Sequence, residues 1–147
     1  MKKFKFKLDP VLNLRKKEEE AIAQELAIVQ AERLKILNII ENTEREIQSQ
    51  YLIIKDTYAN SIDINVIRLA TQYLKSLKTR KAAAEEDIRK KDEEILKIKE
   101  RLAEAMKKRK IIEKLKENKF EQYRDEFNKN DNFTMDEMNN SRQGHKG

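Results

Sequence analysis

Apolar residues recur along this chain in steps of three and four. One line runs Leu8, Leu12, Arg15, Glu19, Ile22, Leu26, Val29, Arg33, Ile36, Ile40, Thr43, Ile47, with eight of its twelve positions apolar. That spacing is one face of an α-helix. Leu34 and Leu37 are expected to widen the stripe in its middle. Past Ile47 the spacing changes to Tyr51, Ile54 and Tyr58, a shift that resembles a stutter and would relax a left-handed supercoil. The pattern fails across "ANSIDIN", residues 59–65, where Asn60, Ser61, Asp63 and Asn65 compete for backbone hydrogen bonds. A turn is expected there, with Ser61 or Asp63 capping the second helix. A second line then runs Ile67, Ala70, Leu74, Leu77, Lys81, Ala84, Ile88, Lys91, Ile95, Ile98, Leu102, Ala105, Arg109, Ile112, with eleven of its fourteen positions apolar. Lys81, Lys91 and Arg109 interrupt it; such polar residues weaken a seam but set its register, and their stems can pack.

The start of the first helix is expected at "LDPVLNLR". Asp9 is read as the N-cap, and Pro10, the only proline, suits a first turn because it has no N–H to leave unpaired. These signals predict an all-α fold: a long antiparallel two-helix coiled coil, or helical hairpin, whose second helix is longer than its first. One domain spans 1–147, with helix one about 9–59, a turn about 60–65, helix two about 66–138 and a disordered tail about 139–147. Folding near residue 62 brings Leu12 level with about Ile112. Beyond Leu115 the second helix has no internal partner, yet it still carries Phe120, Tyr123 and Phe127 at helical spacing.

Composition supports a narrow seam rather than a broad core. Charged residues make up 41% and hydrophobic residues 38%, with 2 Gly and no Trp; ordinary domains hold roughly 25% and 45–50%. High charge also favours disorder, but the regularity of the second line argues against it. No cysteine is present, which excludes disulfides, thiol catalysis and Cys-based metal sites. No apolar stretch reaches bilayer length, and "MKKFKFKLDP" lacks the apolar run of a signal peptide, so a cytosolic protein is expected. The net charge of +6 permits acidic partners without demanding nucleic acid.

Catalytic chemistry is not expected. A two-helix pair lacks a concave site with convergent polar groups. The single histidine, His145, falls in the expected tail, and no phosphate loop, dinucleotide fingerprint, cofactor motif or metal spacing occurs. Three features suit binding instead. The run "KKRKIIEKLKENK", residues 107–119, holds seven basic residues against two acidic ones; it is either a solvated helix face or a contact for an acidic surface. The overhang aromatics either dock into a partner groove or are covered by Phe4 and Phe6 folding back. Tyr51, Tyr58 and Tyr73 flank the turn, as interface tyrosines or as fillers of a widening coil.

The opening "FKFKLDPVLNLRKKEEEAIAQELAIVQAE" resembles the N-terminus of the FliJ family of bacterial flagellar export proteins. The landmarks are Phe4, Phe6, Leu8, Val11, Leu12, Leu14, Arg15, Glu18 and Glu19. "LATQYLKSLK" after the turn, the basic "AEAMKKRKIIEKLKENKFEQYRDEF" and the closing "MDEMNN" are similar to family segments in the same order. The resemblance implies a non-catalytic stalk for motility and flagellum biogenesis that binds the hexameric export ATPase FliI and promotes its assembly. It also implies contact with the export gate FlhA, escort of export chaperones, and a cytoplasmic location peripheral to the membrane at the flagellar base. Carried over by position, the gate surface comprises Tyr51, Tyr73 and Leu77. Ile47 stands where some members carry a further aromatic, and Arg80 where some carry a small apolar residue. The ATPase surface is expected at the helix termini, through Lys107, Lys108, Arg109, Lys110, Lys114, Lys116, Phe120 and Tyr123. Residues alone also allow a nucleic-acid-binding or structural homodimeric coiled coil.

Overall fold

The computed structural model describes residues 3–61 and 63–144, with side chains described to residue 141. Two helices follow one another, α1 (Asp9–Asn60, 52 residues) and α2 (Ile64–Gly144, 81 residues), and no strand occurs among the described residues. The molecule is an antiparallel helical hairpin with a longer second helix. Nothing in residues 64–143 is Gly or Pro, so no backbone break stops α2 at the expected tail, and it runs on to Gly144. His145 lies outside the described residues.

The cap of α1 sits one residue earlier than the sequence suggests. The Leu8 carbonyl accepts the first helical bond, from Leu12 N–H at 2.8 Å, and Asp9 N–H donates to the Phe6 carbonyl at 3.2 Å. Leu8 therefore occupies the cap position and Asp9 lies inside the first turn. The Asp9 carboxylate accepts instead from Lys116 Nζ at 2.9 Å, a partner no local rule could name. The cap of α2 is Asp63, one of the two candidates: its carboxylate accepts from Asn65 N–H at 3.0 Å and its carbonyl from Ile67 N–H at 3.1 Å.

Two compact units divide the chain, one formed by Met1–Ala21 with Leu102–Gly147, the other by Ile22–Arg101. In the second, Val29, Ile47, Ala70, Leu74, Leu77, Ala84 and Ile98 are buried, with Leu77 completely so against Ile47 and Leu74. Thr43 is buried too, its hydroxyl satisfied by donating to the Ile39 carbonyl at 2.7 Å. The stutter is absent. Tyr51 and Tyr58 are exposed, and Gln50, Ile54 and Thr57 turn inward after Ile47. The three-four rhythm simply continues, carried by two polar residues that an apolar count overlooks. Leu34 and Leu37 do not widen the seam either; both are exposed, because a two-helix contact buries only one narrow stripe per helix.

Each polar interruption of the second line meets a carboxylate across the seam. Lys81 pairs with Glu44 at 3.1 Å and Lys91 with Glu32 at 2.6 Å. Arg33–Asp92 at 2.6 Å and Glu25–Arg101 at 3.0 Å follow the same antiparallel register. In the first unit, where Leu12, Phe6 and Ala105 are buried, Arg109 pairs with Glu19. Sliding one helix by a turn would break these pairs together. They are exposed enough that each adds little to stability singly; their larger effect is to make one register better than its neighbours.

The Lys81 and Lys91 ammonium groups are held above the ordinary lysine range, chiefly by hydrogen bonds to Glu44 and Glu32. Tyr73 is raised likewise, first by donating to Glu46. A group whose folded pKa exceeds its unfolded value contributes stability that is whole below the unfolded pKa and lost as pH rises through the folded one. The thermal midpoint is therefore expected to fall progressively above about pH 10, the onset of lysine and tyrosine ionisation. Circular-dichroism melts between pH 8 and 11.5 check this; a constant midpoint would remove these contacts from the stability of the hairpin.

Candidate partner-docking surfaces

Two surfaces carry the candidate residues, one in each unit. In the first, the basic segment 107–119 divides into two groups. Arg109 is half-buried and its guanidinium reaches both Glu19 and, at 2.7 Å, Glu113. The hydrogen bond to Glu19 is the main reason its pKa is raised. Lys116 is taken by Asp9, and Lys114 lies 3.8 Å from Glu117. These three serve the hairpin itself. Lys107, Lys108 and Lys110 are exposed and have no ion-pair partner among the described residues. With Lys119, likewise exposed and without an ion-pair partner among the described residues, they are the cations of this run available to an acidic surface, as solvated point charges rather than a planar clamp.

Further along α2 lies a cluster of rings. Phe4 packs edge-on against Phe120, centroids 5.3 Å apart, and tilted against Tyr123 at 5.5 Å. Tyr123 is 6.4 Å from Phe120 and stacked near Phe127 at 6.5 Å. Phe120 and Phe127 nonetheless stay 46% and 44% exposed, so the stripe is covered on one side only. A cleft between the N-terminal segment and α2 is lined by Phe4, Phe6, Leu8, Leu115 and Tyr123, with Lys119 at its edge. The involvement of Phe4 and Phe6 is legible in the alternation "KFKFKL": Phe4, Phe6 and Leu8 turn inward while Lys3, Lys5 and Lys7 are exposed. That is period two, an extended segment with one apolar side.

The second surface flanks the turn. Tyr73 donates its hydroxyl to Glu46 Oε2 at 2.7 Å. Lys78 Nζ lies 5.5 Å from the centre of the Tyr51 ring, a cation–π contact. Glu46 and Tyr73 each precede a core residue, Ile47 and Leu74; Tyr51 and Lys78 each follow one, Gln50 and Leu77. In an antiparallel pair these are opposite flanks of the seam. The structure thus places Tyr51 and Tyr73 on different sides of the hairpin, and Leu77 is 0% exposed between them. Leu77 supports the surface from beneath and presents no side chain to a partner. Sequence reasoning missed Ile53, Val66 and Leu69, exposed apolar residues near Tyr73. Their signal was apolar character off the seam line, next to a turn.

Among the described residues no group of His, Cys, Asp and Glu could hold a metal ion, and no helix is long and apolar enough to cross a membrane. Fold and surfaces together define a class: an all-α helical hairpin with exposed charged and aromatic faces. The chain belongs to the FliJ family. The family model described as "Flagellar FliJ protein" matches residues 4–147, nearly the whole chain. No curated protein and no solved structure matches it. Membership makes this a flagellar, export-related protein.

Proposed function

We propose that this protein is a non-catalytic component of flagellar export that binds the ATPase FliI as a stalk and promotes its hexameric assembly and activity. The observations that carry this reading are the unpaired triad Lys107, Lys108 and Lys110 and, further along α2, the half-exposed stripe of Phe120, Tyr123 and Phe127. Charge complementarity speeds encounter, and aromatic side chains set in a partner groove supply most of the affinity of such contacts. Arg109, Lys114 and Lys116 act at one remove, by holding α2 against α1 and by steadying its own turns.

The faces around the turn serve the export gate FlhA, with Tyr51 on one flank and Tyr73 on the other, so the gate grips the hairpin from both sides. Leu77 contributes by fixing both helices at that level. Export chaperones are further partners, and the protein works at the cytoplasmic face of the membrane through these contacts.

The test is the ATP hydrolysis rate of the flagellar ATPase from the same organism, near its assembly threshold, with and without this protein. Stimulation accompanied by hexamer formation is expected. No change in rate at saturating amounts would refute the reading.

A further inference from the structure

The aromatic stripe of the proposed ATPase contact is already partly occupied in cis. Residues 3–8 precede α1 and lie along α2 in the first unit, with Phe6 buried and Phe4 set on the rings of Phe120 and Tyr123. The backbone of this segment is lightly tied. Residues 3–6 belong to no helix or strand, and the Phe6 carbonyl accepts from Asp9 N–H at 3.2 Å only where the helix starts. Lys3, Lys5 and Lys7 are exposed on its outer side. A segment held by a few apolar side chains, outside any regular backbone ladder, belongs to the part of a fold that opens locally at low cost.

We infer that residues 3–8 form a releasable strap that competes with the partner for the Phe120–Tyr123–Phe127 stripe, so that the site is masked until the partner displaces Phe4. This deepens the proposed ATPase contact and rests on it. Lifting the strap uncovers the buried sides of Phe120 and Tyr123. It also frees three lysines, on an unstructured arm, to contact acidic groups on the incoming surface. Masking lowers the apparent affinity by the fraction of time the site stands open. It also keeps an exposed aromatic row from pairing with unrelated surfaces.

Three proteins test the strap in titrations against the ATPase: the full chain, Phe4→Ala, and the double variant Phe120→Ala with Phe127→Ala. Phe4→Ala is expected to bind about 3- to 10-fold more tightly, the factor by which a mostly closed strap masks its site. Equal or weaker binding by Phe4→Ala overturns the strap. The double variant is expected to lose binding; if it binds like the full chain, the aromatic contact itself fails, a different result from failure of the strap. A second readout watches the strap directly. The chain has no cysteine, so Lys5→Cys accepts a single nitroxide label on the outward side. Its motion should be slow in the free protein and fast once the ATPase is added. A label that stays slow in the complex overturns the inference.

Discussion

Changing Lys107, Lys108 and Lys110 together to Glu is expected to abolish stimulation of the export ATPase while leaving the hairpin folded. The three side chains go from three positive charges to three negative ones, on a face that steers an acidic partner. Between charges at contact range near a protein surface, each reversed pair changes the interaction by an amount on the order of a few kcal/mol. About 1.4 kcal/mol is already tenfold in affinity, so binding should fall by at least about 100-fold at moderate salt. Folding should be nearly untouched, within about 0.5 kcal/mol, because none of the three makes an ion pair among the described residues. Arg109 is left out by design. Its reversal would set a third carboxylate beside Glu19 and Glu113 and loosen the helices, confusing loss of contact with loss of structure. Unchanged stimulation by the triple variant, with an unchanged melt, would exclude these lysines from the contact.

Leu77→Ala should be the costliest single truncation in the second unit. Among the described residues Leu77 alone is fully enclosed, against Ile47 and Leu74. Leu→Ala at such sites costs about 2–5 kcal/mol, the lost transfer energy plus the cavity left behind. A narrow seam has few other buried residues to share that loss. Urea unfolding should show a lower midpoint with an unchanged slope, the sign of a stability change rather than a change in the exposed area. The same variant separates support from contact in the gate proposal. Measured at a temperature where Leu77→Ala remains folded, gate binding should fall far less than on replacing Tyr73 or Tyr51 with Ala. A loss by Leu77→Ala equal to theirs would mean that the hairpin opens to present Leu77.

The helices and their inward faces were readable because the seam is written locally. Every position of the two lines from Leu8 to Ile47 and from Ile67 to Ile112 is buried or half-buried, including the charged ones. The cap of α2 was narrowed to Ser61 or Asp63 for the same reason: the partner of Asp63 is two residues away. The errors arose where a rule of thumb met a contact distant in sequence. Asp9 looked like a cap, but its carboxylate is claimed by Lys116, 107 positions on. Tyr51 and Tyr58 looked like seam residues because they are apolar, whereas the helix period carried Gln50 and Thr57 inward instead.

Function was legible in part. The basic run and the aromatic stripe are visible in the sequence as residue types at helical spacing. Which of those cations are free is not, since Arg109 and Lys116 look no different from Lys107 and Lys110 until α1 is laid beside them. Nor does spacing along one helix tell that Tyr51 and Tyr73 fall on opposite flanks, or that Phe4 covers Phe120. By itself the sequence determined the helices, the place of the turn between them and the seam, because these follow from the period of one chain. Only the tertiary structure decided which charges are spent, which aromatics are covered and which flank each tyrosine takes. Those depend on what the other helix places alongside, and side chains meet there at distances in space that separation along the chain does not encode.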